Sequence, residues 1–367
     1  MSADPKEFDG WYVTSSYEEF VKMEGVPLYE GSYLEDLSTL PLSDWERGGG
    51  NAKAAYTRLG NQETNGLQIV EIPPKGELKA EHHMYDEVMF VLKGRGATTL
   101  WQEGEPKHTV EWDEGALLAL PLNAWHQEFN ASSDEPCRLL FGSNLPQVLN
   151  LYHNRDFIFN NPYVFRDRYS NNLQNFFSDK GRRRKAKVYE TNFITDVRKF
   201  ELDPLPEGGY RTEVMRISMA STILGIHIKS IAEGTYTNAH RHPGGAHVMV
   251  ITGEGYELLF MPGEEKKRQK VLTKPYSVIG PKDNEFHHHF NTGKGPYVQL
   301  AFRGGPARYG LGRRNQHKQE TSFQDEDPHS YSFKISYEKE DPSIREEYYG
   351  ELEKRGITLR LPPIDQD

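Results

Sequence analysis

The sequence predicts an all-β protein built as two similar antiparallel barrels in tandem, followed by one C-terminal helix. Three observations carry this. The 367 residues are 36% hydrophobic and 12% aromatic, with 33 Gly and 22 Pro, a composition of short strands and many turns. Runs of β-branched and aromatic residues, such as EVMFVL, HVMVI and YVQLAF, are punctuated by Gly, Pro, Asn and Asp about every ten residues. Finally, one unit occurs twice. GRGATTLWQEGEPK at 94–107 aligns without gaps on GEGYELLFMPGEEK at 253–266, placing Gly94, Gly96, Leu100, Gly104 and Glu105 on Gly253, Gly255, Leu259, Gly263 and Glu264.

In chain order, residues 1–60 form a mixed N-terminal extension with a GGGN loop at 48–51. The first barrel occupies 61–150, a polar connection 151–215, the second barrel 216–305, and a tail 306–367. With two residues inserted, HQEFN at 126–130 meets HHHFN at 287–291, and RLLF at 138–141 meets QLAF at 299–302. In the tail, DPSIREEYYGELEKRG sets Asp341 as N-cap, Pro342 at the first helical position and Gly356 as the stop. This length suits two cores of ordinary size.

Charge narrows the function classes. A net charge of -10 argues against a nucleic-acid binder. The one basic run, GRRRKAKV at 181–188, has no interleaved aromatics and is expected to be a solvated loop. ALLALPL at 116–122 is far too short to span a membrane, and MSADPKEFDGWYV at the N-terminus lacks the pattern of a secretory signal. Cys137 is the single cysteine, so no intrachain disulfide forms and a reducing, cytoplasmic setting is expected.

The segment TNAHRHPGGAHVMVITGEGY, residues 237–256, places imidazoles where valines would make a simpler core. On a strand, His240 and His242 share a face and Arg241 looks away. His287, arriving on another strand, completes a triangle able to hold one divalent cation. Singly, each is more simply a hydrogen-bonded core histidine; the three together favour a metal.

These residues carry a resemblance to the cupins. In the first unit Gly115, Pro121, Asn123, His126 and Asn130 follow the second cupin motif, and His83, Glu87 and Gly94 follow the first in altered form. In the second unit Gly234, His240, Arg241 and His242 match the first motif, and His287 and Asn291 the second. The chain thus resembles a bicupin, in layout the gentisate and salicylate dioxygenase type. This resemblance implies two double-stranded β-helix (jelly-roll) barrels that pair into a homo-oligomer.

It also implies metal sites. The glutamate that cupins add after the His pair is missing: a gapless register puts Ala246 there, a one-residue shift puts His247 there as a fourth ligand. In the first unit the implied set is His83, Glu87 and His126, with Glu81 or His82 as an optional fourth. His289 shares a face with His287 and is expected to serve as a base or pocket residue, with Gln299 positioning the substrate; His288 points away. The expected cofactor is a divalent ion, Fe(II) foremost, with Mn, Zn or Ni as alternatives, since imidazole accepts them all. The expected activity is a mononuclear non-haem Fe(II) dioxygenase acting on a small, anionic aromatic or conjugated carboxylic acid. A Mn-, Zn- or Ni-dependent decarboxylase, isomerase or lyase, and a non-catalytic binding protein, are the alternatives.

Overall fold

The computed structural model describes residues 15–169, 175–178, 180–242, 245–304 and 333–361. The expectations for the extreme N-terminus and for 305–332 of the tail lie outside them.

Each repeat unit folds as a barrel of one large and one small antiparallel sheet. In the first barrel the large sheet runs through Lys53–Leu59, Gly66–Ile72, Cys137–Ser143, Glu87–Lys93 and Leu117–Leu120, and the small sheet through Trp125–Asn130, Arg95–Trp101 and His108–Asp113. The second repeats this order with Thr212–Ser218, Leu224–Ile231, Tyr297–Gly304, Ala246–Thr252 and Val278–Ile279, faced by Gln269–Thr273, Gly255–Phe260, Phe286–Asn291 and Ala239–Arg241.

The unbroken apolar runs have a simple cause: the barrels pack back to back, so their large sheets are buried on both faces. Met89, Val91, Leu139 and Phe141 fill the first barrel, while Val88, Phe90, Leu92 and Leu140 meet Met249, Ile251, Leu300 and Phe302 of the second. This alternation corrects one alignment. Leu139 and Phe141 face inward in one barrel, Gln299 and Ala301 in the other, so position 139 corresponds to 299, one residue away from the sequence pairing.

The repeated glycines and asparagines are structural. Gly96 pairs with Asn130 and Gly255 with Asn291 in the same register. A Cβ on Gly96 would lie 2.0 Å from the Phe129 carbonyl oxygen, and one on Gly255 1.9 Å from that of Phe290. The Asn130 amide donates to the carbonyls of Ile72, Pro73 and Glu135, and that of Asn291 to those of Ile231 and Gly295.

Connections cross between the units. Tyr33–Leu34, from the N-terminal extension, pairs with Val278–Ile279 of the second barrel, and Phe193–Ile194, from the connection, pairs with Leu117–Leu118 of the first. The basic run is an edge strand, Arg182–Lys185, rather than a loop; Arg183 pairs with Asp203 and Arg184 with Glu190. Charged side chains suit such an edge because they deter further strand pairing.

The C-terminal helix spans Pro342–Arg355, with Asp341 accepting from the Ser343 N–H and Gly356 ending it at φ 64°. It covers the second barrel through Ile344, Tyr348 and Leu352, against Tyr236, Tyr256 and Phe290. Cys137 is buried, which pushes its thiol up to about 12 and leaves it inert. Among the described residues no helix is long and apolar enough to cross a membrane.

Candidate metal centres in the two barrels

In the second barrel, His240 comes from Ala239–Arg241, and His287 and His289 from the neighbouring strand Phe286–Asn291, paired so that His240 sits opposite His287. One nitrogen from each of the three lies within 4.8 Å of the others. Ring centroids are 4.2 Å apart for His240 and His287, and 5.5 Å from each of these to His289. Nδ1 of His240 and of His287 bond carbonyl oxygens, Asn238 at 2.9 Å and Glu285 at 3.4 Å. Nδ1 of His289 is 2.6 Å from Glu257 Oε2. With each Nδ1 so engaged, Nε2 is the nitrogen left for an ion, the arrangement that fixes imidazole ligands in metal sites.

The converging trio is therefore His240, His287 and His289, with His289 in the place expected of His242. The cause is local: the strand ends at Arg241, and the His242 ring stands at the cavity wall, 5.1 Å from that of His287 and 6.1 Å from that of His240. Ala246 faces the cavity, as in the gapless register. His247 points the other way, towards the first barrel on the face of Met249 and Ile251; neither ring nitrogen has a hydrogen-bond partner among the described residues, and burial lowers its pKa to about 4. Gln299 stands behind His289, its amide 3.0 Å from Nδ1 and donating to Glu257 Oε1 at 3.2 Å. His288 is buried on the outer face against Phe290.

In the first barrel His83, Glu87 and His126 converge. The two Nε2 atoms are 3.2 Å apart, and His83 Nε2 is 3.3 Å from Glu87 Oε2. Their Nδ1 atoms are taken by the Tyr85 carbonyl and by Glu128, both at 3.0 Å. His82 is engaged elsewhere, its Nδ1 2.9 Å from the Asn123 side-chain oxygen and its ring on Trp125. Glu81 is bound by Arg47.

The barrels differ in what surrounds these trios. Inward positions that are Val70, Thr98, Leu139 and Ser143 in the first are Lys229, Glu257, Gln299 and Arg303 in the second, and Phe141 gives way to Ala301. The second barrel consequently holds a cavity of about 60 Å³, roughly the room of four to six waters at ~10–15 Å³ each. Arg216, His227, Lys229, Arg303 and Lys334 line it with the histidines. Among the described residues Glu207 is the carboxylate that lines it, drawn to Lys187 at 2.5 Å. Burial raises the Glu257 carboxyl well above its ordinary value. Neither Glu257 nor Lys229 belongs to a motif; the signal available was a charged residue at an inward position of an otherwise apolar strand.

Electrostatics also separates the sites. Burial, joined by positive neighbours that include Lys229, holds His287 at about 3 and keeps His240 and His289 well below the ordinary histidine value. They are neutral imidazoles at pH 7. Burial works against a charge on His126 too, but Glu128, Glu81 and Glu87 raise it to about 9. An ion entering the first barrel below that pH must displace this proton. Between pH 6 and 8, first-barrel metal affinity is expected to rise about tenfold per pH unit while second-barrel affinity stays flat, as measured by competition with a chromophoric chelator.

Residues 68–142 match the family described as Cupin_2: Cupin domain. That segment is the first barrel, which is thus a cupin domain, and the second barrel repeats its strand order and register. No curated protein matches the sequence. Among solved structures, a mutant of Bacillus subtilis oxalate decarboxylase is 16% identical, with 76% of this chain and 78% of that one covered and a TM-score of 0.49. Vicilin from Corylus avellana (hazelnut) is 14% identical, with 74% and 85% covered and a TM-score of 0.47. At such identities the likeness is one of architecture and does not transfer chemistry.

Proposed function

We propose that the protein is a metal-dependent enzyme whose second barrel acts on a small anionic acid, and that it belongs to the mononuclear non-haem Fe(II) dioxygenases. One observation carries this: three neutral imidazoles converge, with no carboxylate among them, at the wall of a cavity lined by cationic side chains. The donor set fits a divalent ion, since each ligand presents one nitrogen inward and is held by a partner behind. A bound ion would supply Lewis-acid polarisation of the acid's oxygens and, as Fe(II), access to dioxygen.

The chain's own residues do the rest. Glu257 and Gln299 hold the His289 ring, and the Tyr297 hydroxyl donates to Glu257 Oε1 at 3.0 Å. The cationic wall draws an anion out of water. The packed interior of the first barrel suits a supporting role.

Oxygen uptake by Fe(II)-loaded protein, screened against small carboxylic acids, is expected to reveal a substrate. Turnover without oxygen consumption would replace this proposal by the second reading, a Mn-, Zn- or Ni-dependent decarboxylase, isomerase or lyase. What favours that reading is the carboxylate ligand Glu87 beside His83 and His126. Metal well below one ion per chain after purification would instead support a binding protein.

A further inference from the structure

Lys229 is a costly residue for its position. It is 8% exposed, lines the second-barrel cavity, and makes no hydrogen bond or ion pair within 4 Å among the described residues. The fold does not require it. The strand Leu224–Ile231 corresponds to Gly66–Ile72, Lys229 sits opposite Gln299 as Val70 sits opposite Leu139, and Val70 is an ordinary core residue. A buried ammonium without a counter-ion is strongly unfavourable, and retaining one points to a charge that arrives with a ligand.

Glu257 is near enough to act on Lys229 electrostatically, but the two form no ion pair within 4 Å, and its oxygens are engaged elsewhere. Its Oε1 accepts from Tyr297 and Gln299, and its Oε2 lies against His289. Glu207, the carboxylate on the cavity wall, is committed to Lys187. The cavity thus has two poles. On the small sheet stand the imidazoles of His240, His287 and His289; on the large sheet stand Lys229, Arg216 and Arg303. A monoanion satisfies one pole only.

We propose that the substrate is a dianionic acid, held by one anionic group at the histidine wall and by the other at Lys229, which makes Lys229 the residue that selects dianions over monoanions. This rests on the second barrel being the acting site, as proposed above. The cavity volume favours a compact molecule such as a short dicarboxylate.

The test is calorimetric titration of full-length protein, with metal content determined in parallel, using malonate and succinate as dianions and acetate and propionate as monoanions. At least one dianion is expected to bind about 30-fold or more tightly than its monoanionic counterpart. Lys229→Met is expected to reduce that preference to about threefold or less with metal content unchanged, and Lys229→Arg to retain part of it. Equal binding of dianions and monoanions to the native protein, or a preference that survives Lys229→Met, overturns the proposal. The native comparison decides even if the variant does not fold. A dianion preference that depends on Lys229 in protein holding no metal would uphold this inference while refuting the metal-dependent function; bound metal without the preference would do the reverse.

Discussion

Replacing His287 by alanine is expected to empty the second barrel of its ion and reduce turnover at least ~100-fold, with the thermal unfolding of the protein little changed. His287 lies nearest to His240, and its neutral imidazole points into the cavity from the strand that also carries His289. His240→Ala and His289→Ala are expected to do the same. His242→Ala is expected to keep the ion, because His242 is not among the side chains whose nitrogens converge within 4.8 Å. Elemental analysis of the four purified variants decides the matter: retention of metal by His289→Ala together with its loss from His242→Ala would exchange the roles of these two residues.

The largest expected effect on stability comes from Gly255→Ala. The added carbon would lie 1.9 Å from the Phe290 carbonyl oxygen, and a backbone atom of a paired strand cannot swing aside. A loss of about 3 kcal/mol is expected, at the upper end of overpacking. Because the clash falls on the strand Phe286–Asn291, metal affinity should fall with it, whereas Gly96→Ala should destabilise without touching the second-barrel site. Gly350→Ala is the control: it sits in the C-terminal helix with nothing within 4 Å, and should be neutral or stabilise by up to ~1 kcal/mol. Chemical denaturation of the three proteins measures all of this.

The architecture was legible because it depends on features that repeat: alternation, turn residues, and glycines that recur at matching positions for a packing reason. The C-terminal helix was legible from its ends, Asp341, Pro342 and Gly356. The candidate centres were legible in part. His240, His287, Glu87 and His126 lie on strands whose parity is fixed by neighbouring core residues, His83 lies just ahead of the strand that begins at Glu87, and they fall into the two converging groups. His242 and His247 lie on either side of a break between strands, one ending at Arg241 and the next beginning at Ala246, and alternation carries no information across such a break. Lys229 and Glu257 escaped motif reasoning for another reason: they answer to a ligand and to each other's surroundings, and no spacing in the chain announces that.

The exchange of Tyr33–Leu34 and Phe193–Ile194 between the two sheets has a consequence for how the molecule comes apart. Each half borrows a strand from sequence lying outside its own repeat, and each hides an apolar face that only its sibling covers. Severing the linker therefore yields fragments with raw, sticky flanks instead of two independent modules. Duplication has here produced a laced pair whose halves are expected to unfold together, seen as coincident transitions of probes placed in each barrel.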